Sequence, residues 1–283
     1  MNDDNVKVVL KSAGVALLVA GVAMKLLTKR EPEKEDIPKN TLVTYLFPTY
    51  KGTGLWNMSP ACWKLETYLR LVKVPHVQKT IITASDSPTK TAPWIRYNDF
   101  VLSDSQRIIR WLEKEGISNG LDAHLTAEQK GQSTAIQYLL EEGVYWMMLY
   151  DRWQHEANWP TIRDLFFEPV PAVMRSFIAN RVRSQTVMAL RKQKLGRLSY
   201  EEILEMHGNC VEALSNLLGD KRYFLSDAQP SSVDATAFAQ IANMVYSKLP
   251  DNRLSQQMAS KPNLVAYCDR LKSEVFPEML IED

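Results

Sequence analysis

The spacing of apolar residues changes twice along the chain. From Val6 to Leu27 (VKVVLKSAGVALLVAGVAMKLL) they form a block that is uninterrupted from Ala13 to Met24 and carries lysines at positions 7, 11 and 25. Crossing a bilayer takes about 20 predominantly apolar residues, and the block reaches that length because lysines near the ends of a span can extend their ammonium groups to the interface. It predicts an N-terminal membrane helix within residues 1–28. A secretory signal peptide remains open, with Gly21-Val22-Ala23 as a weak small-x-small site. An amphipathic surface helix would need a polar face, which is missing here. Residues 29–40 are charged, contain Pro32 and Pro38 and lack an apolar period, so they predict a solvated linker.

Beyond Thr41 the runs are short. Thr41 to Phe47 is β-branched and aromatic and is closed by Pro48, a strand signal. After a loop holding Gly52 and Gly54, a helix starts at Ser59 with Pro60 in its first position and ends before Val74-Pro75. Val77 to Thr83 predicts a second strand. Trp94 to Tyr97 and Phe100 to Leu102 predict a hairpin about Asn98-Asp99. Ser103 is expected to cap a helix through Glu115, stopped by Gly116. This order of strand, helix, three strands and helix predicts a thioredoxin-like α/β domain over residues 41–118.

From Leu121 the period becomes helical, predicting an all-α domain over residues 119–283. Thr126 and Gln129 form a capping box ahead of a long helix to about Asn158. Pro169 and Pro171 introduce a helix to about Leu195, and Ser199 with Glu202 caps one to Gly219. Ser231 to Asp234 opens another through Lys248, and Pro262 begins the last, which ends near Phe276.

Composition narrows the function classes. The chain has 283 residues, 45% of them hydrophobic, and 34 basic residues against 33 acidic ones. That is ample for a packed core and gives no net field to recruit nucleic acid. Its three cysteines, Cys62, Cys210 and Cys268, are too far apart for a zinc spacing or a paired framework, and they fit a reducing compartment. Its four histidines are scattered singly and suggest no metal site. Basic residues flank the apolar block on both sides, with a slight bias toward a cytosolic C-terminal part, and the mitochondrial outer membrane is compatible. Cys62 lies one turn into the first helix and is a candidate secondary or redox thiol, although Ser59 stands where a redox pair would have its first cysteine. Tyr145, Trp146, Tyr150 and Trp153 could line an apolar pocket or pack in the core.

Taken in order, Ser59-Pro60-Ala61-Cys62 at a helix start, Ala92-Pro93 before the third strand and Asp104-Ser105 opening the next helix resemble the glutathione transferase superfamily. Within it the chain is most similar to the failed axon connections and metaxin-like group. The resemblance implies glutathione as ligand or substrate and an apolar electrophile as second substrate. Ser59 would donate a hydrogen bond to the glutathione sulfur, Ala92 and cis Pro93 would meet its cysteinyl part, and Asp104 and Ser105 its γ-glutamyl end. Lowering a thiol from about 8.5 by two units takes about 2.7 kcal/mol. A hydrogen bond to a charged acceptor gives roughly 1.5–3 kcal/mol and a helix N-terminus roughly 0.3–1. The metaxin-like likeness also implies an alternative, a non-enzymatic membrane-anchored adaptor. A homodimer or a protein partner is compatible with either. An open cleft with the Ser59 hydroxyl facing it favours chemistry, whereas a cleft filled by Trp56, Trp63 or the 49–58 loop favours the adaptor.

Overall fold

The structure is a computed structural model that describes residues 37–49 and 54–280. The expected anchor, most of the expected linker and the Gly52 turn lie outside the described residues. Among the described residues, no helix is long and apolar enough to cross a membrane. Every element below lies in one compact unit that begins at Thr41.

A four-stranded sheet has the order β2-β1-β3-β4. Strand β1 (Leu42–Leu46) is buried at all five positions, as suits a central strand. It runs parallel to β2 (His76–Thr80) and antiparallel to β3 (Trp94–Tyr97), which pairs antiparallel with β4 (Phe100–Ser103). The cross-strand pair Tyr45 and Trp94 stacks at 3.6 Å between ring centroids. The edge strand β2 ends at Thr80, short of the expected Thr83, after which only Ile81 still bonds the Leu46 carbonyl. The hairpin turns at Asn98, whose φ of 54° suits asparagine.

Helix α1 (Pro60–Leu71) crosses from β1 to β2 with nine buried residues, so both of its faces are covered. Trp63 meets Phe238 and Phe276 edge-on, and Trp56 packs against Phe276. Helix α2 (Ser105–Lys114) corrects one expectation. Its cap is Asp104, whose carboxylate accepts from the Arg107 amide at 2.9 Å, whereas Ser103 is the last residue of β4. Ser103 pairs with Trp94, and that register takes it away from the helix start.

In the helical part, α3 (Ala127–Tyr138), α4 (Tyr145–Leu149) and two wide π turns (Leu139–Val144 and Tyr150–Gln154) form one long run. After it come α5 (Trp159–Phe166), α6 (Ala172–Lys192), α7 (Tyr200–Leu218), α8 (Ser232–Val245), α9 (Arg253–Ala259) and α10 (Pro262–Val275). The capping boxes at Thr126 and Ser199 form as their spacing suggests. At α8 the fully buried Asp234 accepts from the amide and hydroxyl of Ser231, from the Phe224 amide and from the Tyr267 hydroxyl. That carboxylate ties the start of α8 to α10.

Candidate functional site

Two helix N-termini, those of α1 and α2, open onto one cleft beside the cis Ala92–Pro93 bond. The cleft encloses about 250 Å³ beneath an open mouth, at the small end for a small-molecule site. From the sheet domain, Pro60, Ala61 and Lys64 of α1, Thr91 to Pro93, and Asp104 to Gln106 line it. The helical part contributes Glu141, Glu142, Tyr145, Thr236 and Gln240. Asp104 stands at φ 80°, and its amide donates to the Pro93 carbonyl at 3.2 Å, so the α2 cap and residues 92–93 are locked together.

The charges in the cleft are organised by Lys64. Its side chain is 2% exposed, and its ammonium donates to Glu141 at 2.7 Å and to Gln106 at 2.6 Å. Burial pushes the ammonium pKa down, and Glu141 counters that. An ammonium carries three N–H donors, so one remains for a ligand. The Ser105 and Gln106 amides at the start of α2 and the Ser105 hydroxyl have no bond within the described residues, the Arg107 amide being taken by Asp104, and they sit at the positive end of the helix. A carboxylate fits there, while Asp104 and Glu142 face the same space and suit an ammonium.

Of the six residues expected at the site, Ala92, Pro93, Asp104 and Ser105 line the cleft. Ser59 does not. It is half-buried one residue behind Pro60, and its hydroxyl accepts from the Cys62 amide at 3.4 Å as the cap of α1. Cys62 is fully buried, and burial raises its thiol pKa to about 11, with the Ser59 hydroxyl pulling the other way. A thiol kept protonated and out of water does not fit the secondary redox role expected of it. Of the aromatic group only Tyr145 reaches the cleft. Trp146 bonds Glu142, Tyr150 bonds the Leu198 carbonyl, and Trp153 packs among Trp159, Phe166 and Phe167. Trp56, Trp63 and the described part of the 49–58 loop leave the cleft open.

The loop before Ser59 is held by a group that sequence reasoning missed. Arg152 is 2% exposed and donates to the Met58 carbonyl at 2.8 Å and to the Asn243 carbonyl and Oδ1 at 3.1 and 3.0 Å. Asn243 donates in turn to the Asn57 carbonyl, and the Asn57 side chain bridges the Phe47 carbonyl and the Ser59 amide. Among the described residues no carboxylate bonds the guanidinium and its Nε has no partner, and burial lowers its pKa to about 10. Its neighbour Asp151 accepts instead from Tyr200 at 2.7 Å and Asn158 at 2.9 Å, and burial raises its carboxyl pKa to about 6.

Residues 60–158 match the model of the glutathione S-transferase N-terminal domain, and residues 208–271 match that of the C-terminal domain. The chain belongs to the glutathione transferase superfamily. It is 29% identical to the "Isoprene-epoxide--glutathione S-transferase" of Rhodococcus sp. (strain AD45), over 78% of this chain and 94% of that protein. It is 29% identical to human Metaxin-1 over 88% of this chain and 56% of that protein. To Failed axon connections of Drosophila melanogaster it is 29% identical over 91% and 65%. A glutathione transferase structure from Phanerochaete chrysosporium shares the fold with a TM-score of 0.57 at 14% identity, covering 83% of this chain and 98% of that one.

Two outcomes are expected of this superfamily member's supporting network. Arg152→Met leaves the Met58 and Asn243 carbonyls buried without donors and lowers stability by about 2–3 kcal/mol, and Arg152→Lys, with its point charge, recovers only part of that. Urea unfolding midpoints check both. Asp151 holds its proton more tightly folded than unfolded, so its contribution is complete below about pH 4 and lost as pH rises through about 6. Asp151→Asn, which lacks that loss, gains in melting temperature over the parent between pH 5 and pH 8; a gain that is the same at both pH values counts against a raised pKa.

Proposed function

We propose that this chain binds glutathione in the cleft and activates its thiol, at the N-terminus of α1, for attack on a small apolar electrophile. The observation that carries this reading is the convergence on one open cleft of Ala92-Pro93, Asp104-Ser105 and the first turn of α1. The γ-glutamyl carboxylate meets the Ser105 hydroxyl and the first amides of α2, and the ammonium meets Asp104 and Glu142. The free N–H of Lys64 is available to a peptide carbonyl or the second carboxylate. Ser59 accepts from the Cys62 amide, and in this reading its hydroxyl proton turns from the α1 cap to the sulfur of the bound ligand.

The similarity to an enzyme named for isoprene epoxide supports a strained epoxide as the electrophile class. The thiol proton leaves to solvent and the thiolate attacks an epoxide carbon. The carbon–oxygen bond breaks, and the alkoxide takes a proton from water. Tyr145 at the helical wall of the cleft offers an apolar ring to that substrate.

The same proposal holds residues 6–27 to be a membrane anchor and residues 29–40 to be the linker that joins it to the globular part on the cytosolic side. Length, apolarity and basic flanks support the anchor.

Calorimetry is expected to detect glutathione binding, with Asp104→Asn and Ser105→Ala weakening it at least tenfold. Ser59→Ala keeps the binding but lowers the ultraviolet thiolate signal of the bound ligand and slows epoxide conjugation about a hundredfold, as loss of one preorganised donor does. Absence of binding at millimolar glutathione removes the reading. For the anchor, the full chain is expected to resist alkaline carbonate extraction from membranes, and deleting residues 6–27 is expected to release it; extraction of the intact chain counts against the tether.

A further inference from the structure

Between Pro169 and Tyr200 the chain holds seven of its 34 basic residues and none of its 33 acidic ones, leaving 27 basic against 33 acidic elsewhere. Most of this run is α6. The helix is held to the body along one line, where Ala179 and Leu190 are fully buried. On that side Arg183 donates to the Trp153 carbonyl and to Glu156 and lies over the Trp159 ring. With 3.6 residues per turn, Val173, Phe177, Arg181, Met188, Arg191 and Lys192 fall within about 100° of arc on the opposite side.

That outer face combines two features. Val173 is 93% exposed, Phe177 58% and Met188 59%, so three sizeable apolar side chains stand in water along one stripe. Arg181, Arg191 and Lys192 are exposed between and beside them and have no acidic partner among the described residues. A helix face shaped only by solubility would mix both signs of charge and turn its apolar residues inward. Cations interleaved with outward apolar tips match the two layers of a lipid surface, anionic headgroups over acyl chains.

We infer that the outer face of α6 is a docking surface for an anionic lipid bilayer. Arg181, Arg191 and Lys192 engage the headgroups, and Val173, Phe177 and Met188 enter the acyl boundary. Nucleic acid fits less well, because valine and methionine offer no stacking plane and a phosphate backbone rewards none of the apolar exposure. The inference rests on this face alone and not on the glutathione site or the N-terminal block.

The test is partitioning of the full chain onto vesicles of phosphatidylcholine alone and of phosphatidylcholine with phosphatidylserine. The phosphatidylcholine arm absorbs what the apolar N-terminal block contributes, and in every chain compared its flanking Lys7, Lys11, Lys25, Lys29, Arg30 and Lys34 are changed to Gln so that they add no charge-dependent binding. Phosphatidylserine is expected to raise the partition coefficient at least tenfold at low salt and to lose that increment at high salt. The triple variant Arg181→Glu, Arg191→Glu, Lys192→Glu abolishes the increment and leaves neutral-vesicle binding and the melting temperature unchanged, since all three side chains are exposed. Phe177→Ser with Met188→Ser reduces binding to anionic vesicles several-fold while keeping the salt dependence. No increment with phosphatidylserine, or an increment that survives the triple variant, overturns the inference. So does a face that takes up RNA as avidly as anionic lipid and is indifferent to the serine substitutions, which would mark it as a purely electrostatic site.

Discussion

A guanidinium that no carboxylate hydrogen-bonds, buried at Arg152, sets the geometry at the tip of α1. Taking such a charge out of water costs several kcal/mol unless every donor finds an acceptor. Here the acceptors are neutral and serve only the two terminal nitrogens: the Met58 carbonyl, the Asn243 carbonyl and the Asn243 side-chain oxygen, while the buried Nε has no partner among the described residues. Each belongs to a segment that must be in place for the others to serve. Met58 precedes the cap of α1, Asn243 lies on α8, and Arg152 sits in the second π turn. A loop that would otherwise cross a domain boundary with loose ends is therefore fixed by the helical part, and the orientation of Ser59 follows from it. The wide turn also fits this constraint, because a π turn rotates the side chains after it relative to those before it.

The same interdependence governs charge in the cleft. Lys64 belongs to the sheet domain and Glu141 to the long helical run, and their ion pair closes the wall between them while Gln106 ties in the start of α2. One wall thus presents a donor that is nearly spent, and the α2 tip presents free amides next to a carboxylate. Such a surface discriminates by pairing. A ligand with a carboxylate and an ammonium on one carbon can satisfy both ends of it, whereas a simple anion would face Asp104 and Glu142 uncompensated.

Legibility in the sequence divides along the range of the interactions. Strand β1, the hairpin at Asn98 and the boxes at Thr126 and Ser199 rest on contacts within a few residues, and composition alone reveals them. Ser103 and Asp104 are equally good caps on paper. The choice between them is made by the β3–β4 register, which commits Ser103 to Trp94. Helices α5 and α9 escape notice because both are short and neither has a side-chain cap. The charged residues are the clearest case. Lys64 carries no local signal of burial, and Arg152 suggests in sequence no more than an interhelical pair. The burial of these two cations is decided by partners far off in sequence, Glu141 at 77 residues from Lys64 and Asn243 at 91 from Arg152. Ala92-Pro93 and Asp104-Ser105 were legible only as members of an ordered set, because each alone is ordinary turn or cap chemistry.

Burial also decides which sulfur can act at the tip of α1. Ser59 and Cys62 share one helical turn and touch, yet only the serine reaches toward solvent. The thiol sits in the core with its pKa raised by desolvation, and burial raises the thiols of Cys210 and Cys268 as well. A helix N-terminus and a hydroxyl donor together stabilise a thiolate by a few kcal/mol, enough for a solvated sulfur but working against full desolvation at Cys62. Thiol chemistry at this helix tip therefore requires a sulfur that arrives with a ligand and keeps one side toward water. The cleft next to Pro60 and Ala61 leaves room for such a ligand, and the protein's own cysteines are withdrawn from it.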